Sequence, residues 1–143
     1  MIEVRRRFVA PPERVFDAWT VPAELCGWWS AGPSHRPGRA EVDLRVGGEY
    51  RLSMIDDDGI ENVVGGEYVE VRRPKRLVFT WRWKEGRQDP TGGTTSLVEI
   101  DFEEDGDGTL VTLRHSGLVT AESIAQHEHG WKGCFDSLER RFA

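Results

Sequence analysis

The chain has 143 residues and a formal net charge of −6, which is enough length for one domain with its own hydrophobic core. Apart from Arg5 to Arg7 the basic residues are scattered, so we expect no nucleic-acid partner. No apolar run is long enough to span a membrane and no charged-then-apolar leader follows Met1. We therefore predict a cytoplasmic protein without membrane insertion.

The first elements are a strand and two short helices. Residues 2–9 alternate between apolar and charged side chains, which predicts a strand with one mainly apolar face. Pro12 suits the first turn of a helix, and the apolar residues after it recur at spacings of one, three and four. Pro22 ends this helix and begins a shorter one that reaches Leu25. Residues 32–38 are glycine, proline and polar residues, which indicates a loop.

Six further strand-like runs follow, separated by turn residues. Aspartates and glycines at 56–59 and 105–108 are typical of hairpin turns, so we predict an antiparallel sheet. The glycine pair 65–66 indicates a bulge or bend in the longest run, and residues 85–93 form a polar loop. The runs are residues 41–44, 49–55, 60–71, 77–84, 94–103 and 109–115.

The last segment has the period of an amphipathic helix. Thr120 is a suitable N-cap, and side chains of apolar character recur every three or four residues from Ile124 to Phe142, over about six turns. Because one helix cannot cover both faces of seven strands, we predict an α+β fold in which a curved antiparallel sheet wraps around this helix. The two short helices then close one end of the sheet.

Five segments carry a family resemblance: FVAPPERVFDAWTVPAELCGWW (8–29), DLRVGGEYRL (43–52), GEYVEVRRPKRLVFTW (66–81), GTLVTLRHSGL (108–118) and HGWKGCFDSL (129–138). In this order they resemble the START-like helix-grip superfamily (SRPBCC), and within it the family related to the C-terminal domain of the activator of the Hsp90 ATPase. The resemblance covers essentially the whole chain. It implies a single domain over residues 1–143, the element order β-α-α-β6-α, and an internal apolar cavity between sheet and helix. It implies no single activity.

Six tryptophans in so short a chain favour an aromatic interior that walls a cavity. We predict that Trp19 lies in the core, whereas the adjacent Trp28 and Trp29 divide between a lid and the surface. Small-molecule sites are mostly apolar, so side chains on the shared strand face and on the last helix are the predicted ligand-binding residues. The alternative is that they only form the core. The predicted set is Trp29, Tyr50, Leu52, Met54, Phe79, Trp81, Trp83, Val98, Ile100, His115, His127, Trp131 and Phe135.

Two histidines are the predicted polar groups of this cavity. His115 falls on the apolar face of the last strand and His127 on the apolar stripe of the last helix, so both could point inward. Such histidines are more often hydrogen-bonded structural residues than catalysts. Together with Tyr50 they are the weak candidates for catalytic residues.

No metal site and no cofactor are predicted. Residues 127–129 read His-Glu-His, but neighbours on a helix do not share a face, and H-E-x-x-H is absent. Cys26 and Cys134 lack CxxC spacing and are too few for a disulfide framework, so we expect buried thiols in a reducing compartment. The glycine pairs at 47–48, 65–66 and 92–93 do not match phosphate-binding loops.

Three functions remain. The predicted one is a module that binds a small hydrophobic or aromatic molecule, and the alternative is an enzyme of the polyketide cyclase or aromatase type, which some START-like relatives resemble. A co-chaperone or stress-response protein is the weaker alternative, because Hsp90 activators have a separate N-terminal domain and this chain begins directly at strand one. A homodimer is a further alternative, since Val78 and Leu97 are expected on exposed strand faces.

Overall fold

The computed structural model describes residues 1–86 and 94–143. The predicted loop over 85–93, with its glycine pair 92–93, lies outside the described residues from residue 87 onward. The order of elements is the predicted β-α-α-β6-α. They are β1 (Ile2–Phe8), α1 (Pro12–Thr20), α2 (Pro22–Leu25), β2 (His35–Val42), β3 (Glu49–Asp56), β4 (Glu61–Arg72), β5 (Arg76–Glu85), β6 (Ser96–Asp105), β7 (Gly108–Ser116) and α3 (Ala121–Arg141).

The seven strands form one curved sheet in the order β1-β7-β6-β5-β4-β3-β2. Every neighbouring pair is antiparallel, so the hairpins predicted from the turn residues are confirmed. Strands β2 to β7 follow one another as a meander, and β1 returns to pair with β7. The two edges of the sheet are therefore β1 and β2.

Helix α3 lies in the concave side of this sheet, as predicted. Its N-cap is Thr120, whose side chain accepts the backbone N–H of Ser123 at 3.0 Å. At the open edge of the sheet, Arg6 of β1 binds the carboxylate of Asp136 on the helix at 2.5 Å. The buried stripe of α3 comprises Ser123, His127, Trp131, Cys134, Phe135 and Leu138. No helix in the described part of the chain has both the length and the apolar character needed to cross a bilayer.

The loop predicted over 32–38 is wrong in its second half, because β2 already begins at His35. Proline and glycine are tolerated here because β2 is an edge strand. The pairing with β3 shifts register between Pro37 and Ala40. At Gly38 a side chain would not fit, since a Cβ would lie 2.2 Å from the Ser53 hydroxyl oxygen. Sequence composition therefore indicated a loop where the chain makes an irregular strand.

The outer face of β5 is not the exposed apolar surface that the sequence predicted. Val78 is only 4% exposed, and Leu97 is half-buried. An ion-pair network covers this face, in which the Arg76 guanidinium contacts Asp101 at 3.0 Å and Glu70 at 3.1 Å. The aliphatic stems of such side chains shield the apolar residue beneath them. Val78 therefore provides no apolar surface for a second copy of the chain.

Candidate functional site

Six tryptophans and two histidines form one continuous group of rings between the sheet and α3, which we call the aromatic cluster. Neighbouring ring centroids are separated by 4.8 Å at the closest pair, Trp19 and Trp28, and by up to 6.4 Å elsewhere. These separations are typical of edge-to-face aromatic packing. The members are Trp19 of α1, Trp28 and Trp29 after α2, Trp81 and Trp83 of β5, His115 of β7, and His127 and Trp131 of α3.

Both tryptophans after α2 are buried, which corrects the prediction that they divide between lid and surface. Trp28 is 1% and Trp29 is 2% exposed. Helix α3 can approach this segment because of Gly133, where a Cβ would lie 1.8 Å from the carbonyl oxygen of Ala31. The hydroxyl of Ser137 donates to the carbonyl of Trp28 at 2.6 Å, which holds the segment against the helix.

Trp81 is at the centre of the aromatic cluster. It alternates with exposed Arg82 along β5, so its ring points to the concave face. Its centroid lies 4.9 Å from Trp131 and 6.1 Å from Trp29. The ring therefore connects the sheet with both α3 and the segment after α2.

His115 is held by hydrogen bonds that allow only one protonation state. Its Nδ1 accepts the indole N–H of Trp131 at 3.0 Å, so that nitrogen carries no proton. Nε2 then carries the proton and donates it to the Ser96 hydroxyl at 2.7 Å, which in turn donates to the carbonyl of Trp81 at 3.3 Å. Burial, and secondarily the neighbouring His127, lower the pKa of His115 to about 3. This histidine is neutral at physiological pH.

His127 is the opposite tautomer. Its Nδ1 lies 2.8 Å from the backbone carbonyl of Ser123, which can only accept, so Nδ1 carries the proton. Its Nε2 accepts the indole N–H of Trp83 at 3.1 Å. The two histidine rings meet edge to face, with centroids 5.2 Å apart. Each histidine thus accepts an indole N–H on one ring nitrogen and carries its proton on the other.

The three candidate catalytic residues are all engaged in hydrogen bonds of the fold. A general base needs an available lone pair, and in His115 and His127 the imidazole lone pair accepts an indole N–H. The hydroxyl of Tyr50 donates to the carbonyl of Thr80 at 2.5 Å. Burial, and secondarily the neighbouring Tyr68, raise the pKa of Tyr50 well above its ordinary value. These contacts are those of structural polar groups.

Three tryptophans of the aromatic cluster carry buried indole N–H groups without an acceptor among the described residues: Trp19, Trp29 and Trp81. They are consecutive ring neighbours, with centroids 6.4 Å apart for Trp19 and Trp29 and 6.1 Å apart for Trp29 and Trp81. A buried donor without a partner destabilises a protein by about 1–3 kcal/mol, and native structures contain few of them. Because three neighbouring tryptophans carry such unpaired donors, this region is a candidate binding site.

The predicted ligand-binding residues lie in three places. Six belong to the aromatic cluster, namely Trp29, Trp81, Trp83, His115, His127 and Trp131. Tyr50 and Phe79 form a second group with Tyr68, with ring centroids 5.2 to 6.2 Å apart. Phe135 contacts Trp19 and Phe8 deeper in the core. The aliphatic members are Leu52, Met54, Val98 and Ile100, all buried in the same hydrophobic core.

Sequence reasoning missed three members of these groups, because Trp19, Trp28 and Tyr68 were not among the predicted ligand-binding residues. Trp28 follows a short helix, and its sequence neighbours contain no signal that this segment packs against α3. Tyr68 lies on β4, where the pairing with β5 shifts between Tyr68 and Glu70 and interrupts the alternation of faces. The pair of glycines at 65–66 indicated such an irregularity but not which side chain it turns inward.

A separate open groove of about 500 Å³ lies at the other end of β5 and β6. Charges of both signs line it, among them Lys75 and Glu104, together with Pro12 and Phe102. None of the predicted ligand-binding residues contributes to its lining. Within residues 1–86 and 94–143, no group of three or more histidine, cysteine, aspartate or glutamate side chains is arranged to hold a metal ion.

A curved antiparallel sheet that grips a long C-terminal helix and encloses an aromatic interior defines a START-like protein of the helix-grip class. The family follows from sequence. The sequence model of the family described as Activator of Hsp90 ATPase homolog 1-like protein matches residues 9–143, and the chain belongs to this family. The predicted resemblance is thereby confirmed.

Solved structures agree with this assignment. Protein CV1439 from Chromobacterium violaceum superposes with a TM-score of 0.86 at 24% identity, over 99% of this chain and 95% of that one. The AHSA1 protein from Silicibacter pomeroyi has a TM-score of 0.82 at 26% identity, over 98% and 95% of the two chains. CalU16 from Micromonospora echinospora has a TM-score of 0.74 at 26% identity, over 99% and 74%. A search of curated proteins found no match.

Proposed function

We propose that this protein binds a small hydrophobic or aromatic molecule at the aromatic cluster. The observation that carries the proposal is the set of three buried indole N–H groups without an acceptor, on Trp19, Trp29 and Trp81. Binding sites for small molecules combine a mostly apolar lining with a few polar groups that orient the ligand. Adjacent rings with unused donors have this composition.

The position of the aromatic cluster supports the proposal. Its rings come from α1, the segment after α2, β5, β7 and α3, so a ligand there would contact five parts of the fold. Trp83 is half-buried, whereas the other five tryptophans are at most 4% exposed. We infer that a ligand reaches the interior beside Trp83.

Binding is favoured over catalysis by the hydrogen bonds of the histidines. An enzyme of the polyketide cyclase or aromatase type would need an acid or base at the reacting atom, and the lone pairs of His115 and His127 accept indole N–H groups instead. Family membership alone does not distinguish a binding module from a co-chaperone. The unpaired indole donors favour a ligand, because buried donors cannot contact a partner protein at the surface.

The domain organisation, cellular location and cofactor content of this protein stay predictions. We infer one domain over residues 1–143, which the single hydrophobic core cluster of the described residues supports. Cys134 is buried as predicted, whereas Cys26 is exposed, which corrects the prediction for that thiol. Both are free thiols, which supports a reducing, cytoplasmic location. No cofactor and no metal are part of the proposal, and the partner is a small molecule.

The proposal is tested by titrating the protein with a panel of aromatic and acyl compounds. Thermal unfolding and tryptophan fluorescence are followed together, because a ligand of the native state raises the unfolding midpoint by mass action. All six tryptophans lie in the aromatic cluster, so a change of emission reports on this site.

Two variants locate the binding. Trp81→Phe keeps a ring but removes one unpaired donor, whereas Lys75→Ala changes only the charged surface groove. We expect Trp81→Phe to weaken binding and Lys75→Ala to leave it unchanged. The proposal is wrong if no compound shifts the midpoint, or if affinity responds to Lys75→Ala and not to Trp81→Phe.

A further inference from the structure

We propose that the ligand of the aromatic cluster is an uncharged hydrogen-bond acceptor, such as an aromatic ketone or quinone, rather than a cation or a plain hydrocarbon. This inference rests on the proposed function, because it assigns a ligand chemistry to the same site. It follows from which hydrogen-bonding groups of the aromatic cluster are used and which remain.

Among the described side chains of the aromatic cluster, the indole N–H groups are the hydrogen-bonding groups that remain available. The indole N–H is a donor and never an acceptor, and those of Trp19, Trp29 and Trp81 are unpaired among the described residues. The other three indoles already donate. Trp28 donates to the carbonyl of Ala18 at 2.8 Å, Trp131 to His115 and Trp83 to His127. A ligand that satisfies the three remaining groups must bring acceptor atoms.

The acceptors of the same region are occupied. Nδ1 of His115 and Nε2 of His127 each accept an indole N–H. The hydroxyl of Ser96 lies 2.7 Å from Nε2 of His115 and donates to a backbone carbonyl. A ligand with its own N–H or O–H donors would therefore find no free imidazole acceptor in the aromatic cluster, and burying unpaired polar groups is unfavourable.

A cation does not fit this region. The eight side chains of the aromatic cluster include no carboxylate, and each histidine accepts an indole N–H on one ring nitrogen. Indole faces can attract a cation, but these faces already meet ring edges, with Trp29 at 64° to Trp81 and at 69° to Trp131. The cluster contains no lysine or arginine either, so an anion would also be buried without a counter-charge. An uncharged carbonyl oxygen can accept an indole N–H without the cost of burying a cation or an anion.

Three compounds with one carbon skeleton test the inference by calorimetric titration at neutral pH: 1-acetonaphthone, 1-ethylnaphthalene and 1-(1-naphthyl)ethylamine. They place a carbonyl, a methylene and a charged ammonium-bearing carbon at the same position. We expect the ketone to bind about 3- to 10-fold more tightly than the hydrocarbon, the range for one or more added neutral hydrogen bonds. We expect the ammonium compound to bind at least about tenfold more weakly than the ketone.

Indole N–H signals in ¹⁵N–¹H spectra give a second readout that needs no variant. With the ketone, at least one signal of Trp19, Trp29 or Trp81 should move downfield, as a new hydrogen bond requires, while the Trp28 signal should not. Trp81→Phe and Trp29→Phe should reduce the preference for the ketone over the hydrocarbon. The control is Lys75→Ala, which changes the charged surface groove away from the aromatic cluster and should leave the preference unchanged.

The outcomes separate this inference from the function on which it rests. If the hydrocarbon binds as tightly as the ketone, or the ammonium compound binds best, the acceptor inference is overturned while binding at the cluster stands. If none of the three binds or moves an indole signal, the proposed function fails together with the inference.

Discussion

Trp131 donates its indole N–H to Nδ1 of His115 at 3.0 Å. This bond determines the tautomer of His115, the most buried titratable side chain on the concave face. Because an indole N–H cannot accept, His115 cannot carry a proton on that nitrogen. Protonation of His115 would require the bond to break inside the core. A helix residue thus determines which ring nitrogen of a strand residue carries the proton.

The first prediction concerns the dependence of stability on pH. The pKa of His115 is lowered to about 3 in the native state from an ordinary value of 6.5, so below pH 6.5 the unfolded chain binds more protons than the native protein. The stabilisation is complete above pH 6.5 and is lost as the pH falls towards 3. One such group contributes a slope of up to about 1.4 kcal/mol per pH unit to the free energy of unfolding.

Urea unfolding between pH 5 and 6.5 measures this slope in a range where most carboxylates are ionised. We expect the slope to be smaller in His115→Asn, which has no titrating group, than in the wild type. His129→Asn is the control, because His129 is exposed on the outer side of α3. Equal slopes in the wild type and His115→Asn would contradict the buried neutral histidine.

The second prediction is that the two buried histidines are opposite tautomers although their ring centroids are 5.2 Å apart. His115 should carry its proton on Nε2 and His127 on Nδ1, because their hydrogen-bond partners differ. Long-range ¹H–¹⁵N correlation spectra distinguish the two tautomers directly at neutral pH. Finding the same tautomer for both residues would rule out the hydrogen-bond network described above.

The third prediction compares two glycines of α3. A Cβ at Gly133 would lie 1.8 Å from the carbonyl oxygen and 2.4 Å from the carbonyl carbon of Ala31, so Gly133→Ala forces the helix away from this segment. We expect a loss of about 1–3 kcal/mol in the free energy of unfolding, as for an overpacked core. A Cβ at Gly130 meets no atom within 4 Å, so Gly130→Ala should stabilise the helix by about 0.5–1 kcal/mol.

Thermal and urea unfolding of these two variants and the wild type measure the difference. The pair is matched, since both changes add one methyl group to the same helix. Stabilisation by both substitutions would show that α3 does not approach Ala31 as closely as described. In that case the burial of Trp28 and Trp29 would also need another explanation.

The fourth prediction concerns the two thiols. Burial raises the pKa of Cys134 to about 12, whereas Cys26 is exposed. The thiolate is the reactive form, so Cys26 should react rapidly with a disulfide reagent at neutral pH and Cys134 only when the protein unfolds. Counting modified thiols by mass spectrometry over time, with Cys26→Ser as the control, distinguishes them. Rapid modification of Cys134 in the folded protein would show that α3 is more open than the structure indicates.

The element order and the inward faces could be predicted because they depend on local periodicity. Alternation at two residues placed Trp81 and His115 on the concave face, and recurrence at three to four placed His127 and Trp131 on the buried stripe of α3. These patterns are read within a single element. The exposure of a side chain was less predictable where it depends on neighbouring strands. Val78 is an example, because ion pairs between these strands lie on the same face of the sheet.

The sequence by itself determined the α+β architecture and most of the aromatic residues of the interior, because both depend on the spacing of apolar residues along the chain. The family followed from the resemblance of five sequence segments. Only the tertiary structure decided that Trp28 and Trp29 are buried, that both histidines accept from indoles, and that three indole donors stay unpaired. A hydrogen bond requires donor and acceptor atoms from separate elements to lie about 3 Å apart. That distance depends on how closely the elements pack, which close approaches such as the one at Gly133 determine.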